Sequence, residues 1–139
     1  MRLWHKDLIS VLPRQQLLGQ WRECCAIAKS IAEKGTPNHI LVNRIMNYPI
    51  EHFESYAILV YDEIKNRSYD PNPINLAKWM IKIPNNSGIK VGHDELFKEW
   101  HDYRYLRQCL FNLEEKYDCG GITREEWIPI YDTFHYKNN

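Results

Sequence analysis

No stretch of this chain stays apolar for the roughly 20 residues that a membrane span needs. Its first residues, MRLWHKDL, have no apolar centre of the kind a signal peptide carries. A cytoplasmic protein is therefore expected. Net charge is lacking as well. The 18 Lys and Arg balance 18 Asp and Glu, which argues against a strong nonspecific nucleic-acid binder. The cysteines Cys24, Cys25, Cys109 and Cys119 make no CxxC spacing, so buried reduced thiols are expected rather than a structural zinc. The histidines form neither an HxxxH nor an HExxH pair, and no metal is predicted. A P-loop, a GxGxxG and a serine nucleophile elbow are also missing. With no repeat, linker or low-complexity segment, the 139 residues are read as one domain over residues 1–139, long enough to bury a core without staples.

Aromatic residues are plentiful by contrast. Five Trp and nine Tyr exceed what packing such a domain requires, so some rings are expected at the surface, where they stack on bases or anchor a partner. The neutral total also conceals an uneven distribution. Residues 1–45 hold seven basic side chains (Arg2, Lys6, Arg14, Arg22, Lys29, Lys34, Arg44) against three acidic ones (Asp7, Glu23, Glu33), an excess of four. A basic face of that kind can hold phosphates, and scattered solvated lysines would give the same tally.

Hydrophobic periodicity predicts an all-α fold, a single compact domain built on three main helices with short additional helices. The segment MRLWHKDLISVL, carrying Leu3, Trp4, Leu8, Ile9, Val11 and Leu12, predicts an ordered strap pinned by Trp4, with one turn of helix. Pro13 to Lys34 predicts the first main helix. Its apolar residues Leu17, Leu18, Trp21, Cys24, Cys25, Ala28, Ile31 and Ala32 fall at steps of three and four. Pro13 suits a first helical position, and Gly35 with Pro37 stops the helix. Pro49 opens a second helix to about Arg67, with Phe53, Tyr56, Ala57, Val60 and Ile64 inward.

Further along, Ile74 to Ile83 is predicted as a short helix with Leu76, Ala77, Met80 and Ile81 inward, followed by a PNNSG loop. A third long helix is predicted from about Asp94 to Tyr117. Its inner stripe is Leu96, Trp100, Tyr103, Leu110, Leu113 and Tyr117, with Arg104 and Arg107 off it. Gly120-Gly121 ends it. Thr123 and Glu126 have the spacing of a capping box for a short last helix carrying Trp127. The tail then holds Tyr131, Phe134, His135 and Tyr136.

A second stripe runs along the first helix: Gln15, Gly19, Arg22 and Ala26, with Glu23 beside Arg22. These residues are polar or very small, so another molecule can approach the helix backbone. A carboxylate and a guanidinium over a Gly/Ala floor is the most site-like feature of the chain, and an exposed face with an ordinary ion pair is the competing reading. The free amine of the strap is the other group of chemical interest. An α-amino group titrates at about 7.7–8.0 against about 10.4 for lysine, so an appreciable fraction is uncharged at neutral pH. Such an amine attacks a carbon bearing a leaving group and collapses to an imine, and a nearby carboxylate shuttles protons and stabilises cationic intermediates.

Arg2-Leu3 at the start, then Gln15, Leu17 and Trp21-Arg22-Glu23, then a Trp/Tyr-rich C-terminal region: this combination resembles the pyrimidine-dimer DNA glycosylases, the phage-type endonuclease V enzymes and their bacterial relatives. The likeness is fair over about the first 30 residues and loose thereafter, while the three-helix layout agrees along the chain. It implies an all-α DNA repair glycosylase with AP-lyase activity, needing no metal or other cofactor and acting as a monomer on double-stranded DNA with a damaged base. The resemblance makes the α-amine of Met1 the nucleophile at C1′ of a pyrimidine-dimer-like nucleotide, forming an imine, and Glu23 the catalytic carboxylate. Arg2 and Arg22 would hold phosphates at the lesion, and Gln15, on the same stripe, would contact DNA. Arg104 and Arg107 would stand in for basic residues of the family's third long helix, and Arg14 would join the basic face. The alternative is a non-catalytic nucleic-acid or protein-binding module on the same helical frame.

Overall fold

The computed structural model describes residues 1–135, apart from the side chain of His135. Tyr136 lies outside the described residues. Among these the chain is helical without a strand. The helices are α1 (Arg14–Lys34), α2 (Ile50–Asn66), α3 (Ile74–Met80), α4 (Tyr103–Asp118) and α5 (Arg124–His135), and 3-10 turns occupy Lys6–Val11 and Asn43–Asn47. The all-α expectation holds, with α1, α2 and α4 as the main helices.

Pro13 stands one position before α1 rather than inside it. Its ψ of 152° is extended, and its carbonyl takes the first helical bond from the Leu17 N–H at 2.9 Å. Gly35 ends the helix as predicted, because its φ of 77° is a left-handed value that costs glycine nothing. The buried face is Leu17, Gln20, Trp21, Cys24, Ile27, Ala28 and Ile31. Leu18, Cys25 and Ala32, predicted inward, are only half-buried. The face is thus centred nearer Gln20 and Ile27 than the apolar pattern implies. In α2 all five predicted residues, Phe53, Tyr56, Ala57, Val60 and Ile64, are fully buried.

Arg67, which closes α2, ties down the far end of the strap. Its guanidinium donates to the carbonyls of Leu12 (2.7 Å) and Ser10 (3.2 Å), while Nε pairs with Glu63 at 2.8 Å. The near end is pinned by Trp4, as expected.

The region after α2 departs further from the predictions. α3 stops at Met80, and Ala77 and Ile81 are exposed, Ile81 by 84%. Turn bonds from Lys82 to Trp79 and from Ile83 to Met80 bring Ile83 inward instead. The predicted helix from Asp94 is helical only from Tyr103. Phe97 and Glu99 adopt φ of 49° and 76°, which no α-helix tolerates. The cause is Lys6: its buried ammonium gathers the carbonyls of His93 (2.6 Å), Asp94 (3.4 Å) and Leu96 (2.8 Å), bending the segment around itself. Leu96 and Trp100 still reach the core, but Tyr103 is 52% exposed. Leu106, Cys109 and Leu113 form the buried face of α4.

The predicted capping box is present. Glu126 N–H donates to Thr123 Oγ1 (3.2 Å), and Thr123 N–H donates to Glu126 Oε1 (3.3 Å). α5 then continues through Pro129, beyond the short helix expected, because Ile130 and Phe134 find burial one turn apart.

Asp102 starts α4 by accepting the Tyr105 N–H at 2.9 Å. Asp102→Ala is expected to lower the unfolding free energy by about 1 kcal/mol, read from urea denaturation.

Candidate active site

Residues 3–6 are buried, so their backbone groups must find partners inside the protein. Side chains supply them. Gln20 Oε1 accepts the Trp4 N–H (2.6 Å), and Gln20 Nε2 donates to the Arg2 carbonyl (2.9 Å). The Tyr56 hydroxyl donates to the Trp4 carbonyl (2.5 Å) and the Tyr105 hydroxyl to the Leu3 carbonyl (2.5 Å). His101 Nδ1 accepts the Lys6 N–H (3.0 Å). The strap is therefore held residue by residue from α1, α2, α4 and the segment preceding α4.

This places the start of the chain on Glu23. The Arg2 N–H donates to Glu23 Oε2 at 3.4 Å, and the same oxygen accepts from Gln20 Nε2 at 3.2 Å. The Met1 nitrogen is three covalent bonds from the Arg2 nitrogen, which puts it within about 7 Å of that oxygen. Among the described residues no basic group, the terminal amine included, comes within 4.0 Å of the Glu23 carboxylate. Met1 is 45% exposed and Glu23 half-buried.

Arg22 and Glu23 are not an ion pair, contrary to the blander reading of this stripe. Successive helix residues do not face each other. Glu23 turns to the strap, while Arg22 is exposed, with a guanidinium nitrogen 3.7 Å from where a β-carbon on Gly19 would stand. The missing side chain at Gly19 leaves that guanidinium room to lie over α1, and Gln15 is exposed on the same stripe.

Behind the strap lies an enclosed layer of titratable groups. His5 and His101 stack at 5.1 Å, and Tyr105 is 5.0 Å from His101. Burial drives the His101 imidazole down to about 2, with help from the neighbouring His5, so it is neutral and accepts. His101 Nε2 is buried without a hydrogen-bond partner. Burial likewise lowers His5 and raises Tyr105. Arg2 lies over the Trp4 ring at 5.3 Å. Burial pushes the Cys109 and Cys24 thiols up, leaving both as weak nucleophiles. His93 bonds Asp7 at 2.7 Å on the outer side of the strap.

The other predicted site residues are dispersed. Arg14 opens α1, about 13 Å along the helix axis from Glu23, with its guanidinium 5.2 Å over the Tyr69 ring and its N–H on Glu126. Arg104 is exposed on α4. Arg107 lies against Tyr103 (5.8 Å) and Phe111 (5.5 Å), over a hollow of about 360 Å³ between α4 and α5 that none of Met1, Arg2, Gln20 or Glu23 lines. Sequence reasoning missed Gln20, Tyr105 and His101. Gln20 did carry a signal: it is a polar residue at an inward position between Leu17 and Cys24.

A family model described as pyrimidine dimer DNA glycosylase matches residues 1–75, which cover the strap, α1 and α2. No curated protein and no solved structure matches the chain.

Gln20→Leu strands the Trp4 N–H and the Arg2 carbonyl. It is expected to cost about 2–4 kcal/mol in denaturant unfolding, with faster hydrogen exchange at the Trp4 amide. Below pH 6.5 an unfolded His101 binds a proton that the folded chain refuses. Its stabilising contribution is therefore complete above that pH and declines as pH falls toward 2, by up to about 1.4 kcal/mol per unit. His5 and His52 act in the same direction. Unfolding free energies compared between about pH 7 and about pH 5 are expected to fall, and to fall less in His101→Asn.

Proposed function

The chain belongs to the pyrimidine dimer DNA glycosylase family, and we propose that it is a DNA N-glycosylase with AP-lyase activity whose nucleophile is the α-amine of Met1. The observation that supports this reading is the Arg2 N–H on Glu23 Oε2 at 3.4 Å, one residue from the terminal amine, on a half-buried carboxylate that carries no counter-cation among the described residues.

In this reading the uncharged amine forms a bond to C1′ of the damaged nucleotide, and the C1′–N bond to the base breaks. The base leaves with the bonding pair and gains a proton. Opening of the sugar ring, with a proton passing to its oxygen, converts the amine adduct to a protonated imine. That cation acidifies the hydrogens on C2′. Loss of one of them to a nearby base expels the 3′ phosphate and nicks the strand, and water then hydrolyses the imine to return the amine. Glu23 is the carboxylate placed to stabilise the cation and to take or return these protons. Arg2 and Arg22, with Gln15 on the same face, are the groups proposed to hold the DNA there. A damaged nucleotide leaves the stack at lower cost than a sound one, which favours lesions.

Borohydride reduction of a mixture with abasic or dimer-containing duplex is expected to trap a covalent adduct that disappears when the amino terminus is acetylated. An adduct that survives acetylation would overturn the assignment of the amine. Glu23→Gln is expected to slow strand cleavage about 10²–10⁴-fold while duplex binding persists. A non-catalytic binding module would give no adduct and indifference to that substitution.

A further inference from the structure

α1 and α3 form a shallow groove of about 260 Å³, lined by residues that include Arg22, Ala26, Lys29, Asn75, Lys78 and Trp79, and no carboxylate lines it. The ammonium groups of Lys29, Lys78 and Lys82 stand 5.5, 5.6 and 4.9 Å from the centre of the Trp79 ring. All three lysines are exposed, and among the described residues none has a carboxylate within ion-pair distance. Three like charges gathered on one indole repel one another, and an anion joining them would relieve that repulsion.

The shape of the charge narrows the anion. Arg22 and Lys29 are seven residues apart on α1, about 10 Å along the axis, so Arg22 and the lysine cluster around Trp79 form a line rather than a point. Successive phosphates of one B-DNA strand lie about twice as far apart as the roughly 3.4 Å axial rise, so such a line spans about two of them. The lysines cover Trp79, so its ring is not presented as a stacking platform. Ala26 keeps the floor between Arg22 and Lys29 low. The groove suits a sugar-phosphate backbone better than a base.

We infer that the α1–α3 groove is a backbone track that receives the phosphates of duplex DNA flanking the reacting nucleotide, with Lys29, Lys78 and Lys82 as its phosphate-binding groups. The inference rests on the DNA-directed reading of Glu23. Arg22 lines the groove and is also among the groups proposed to hold DNA at the reacting nucleotide, so one strand can run from the chemistry into the track. Lys78 and Lys82 lie beyond the residues matched by the family model, and the track is a feature of this chain's own second half joined to α1.

The test is a salt titration of binding to an undamaged duplex, comparing wild type with Lys29→Gln/Lys78→Gln/Lys82→Gln. A control variant, Lys65→Gln/Lys90→Gln/Lys116→Gln, removes the same charge from other exposed positions. The groove variant is expected to lower the slope of log K against log salt by about 2 to 3, with weaker binding at low salt, and the control to change it by much less. An unchanged slope in the groove variant, or an equal change in the control, would overturn the inference. Borohydride trapping by the wild-type protein keeps the two readings separate. Absence of an adduct alongside the expected slope change would remove the glycosylase chemistry and leave the track standing.

Discussion

A short buried segment of non-helical backbone cannot satisfy itself, and that constraint organises this protein. Residues 3–6 run through the interior without the internal bonds of an α-helix. Each of their polar groups left unpaired would cost on the order of 1–3 kcal/mol. Gln20, Tyr56, Tyr105 and His101 meet that demand from four directions. None of these bonds is local in sequence. The first residues therefore have one position rather than a frayed ensemble, and the position they take is beside Glu23.

The same strap reaches outward to shape its surroundings. Lys6 exchanges water for three carbonyls of residues 93–96, and this interrupts what the apolar pattern would otherwise make one long helix. The interruption allows Phe97, Trp100 and His101 to pack together against α2 and the strap, with ring separations of 4.8–5.1 Å among the three. It also sets Asp102 at the start of α4, which aims Tyr105 at Leu3. The family match ends at residue 75, yet Tyr105 and His101 lie beyond it. The matched half supplies Met1, Glu23 and Gln20, and the other half helps hold them in register.

Charge is distributed on the same plan. The chain is neutral overall, but cations collect along α1 and α3 while several carboxylates are spent on structure. Glu51 receives the Ser87 backbone, Glu63 steadies Arg67, and Glu126 joins the capping box and the start of α1. Acid engaged in holding turns and helix ends does not neutralise a basic groove on another face. A net charge of zero is thus compatible with a locally positive surface.

Local physics was legible without coordinates. The periodicity of α1 and α2, the stop at Gly35, the capping box at Thr123 and the helical class all follow from spacing and backbone preference. So does the strap as an ordered segment carrying Trp4, since its apolar density exceeds what a loose end would hold. The family likeness in Arg2, Trp21, Arg22 and Glu23 was readable too, and it is the family that the model of residues 1–75 identifies. The break at residues 93–102, the outward turn of Ile81 and Tyr103, and the role of Gln20 were not. The break and the role of Gln20 depend on partners far away in the chain. An amphipathic pattern records which side chains are apolar, but a lysine that binds carbonyls or a glutamine that bonds a backbone leaves no periodic mark. Sequence determined most of the helices and the candidate groups; tertiary structure alone decided that the Arg2 N–H would meet Glu23, because only the folded interior makes leaving that strap unbonded so costly.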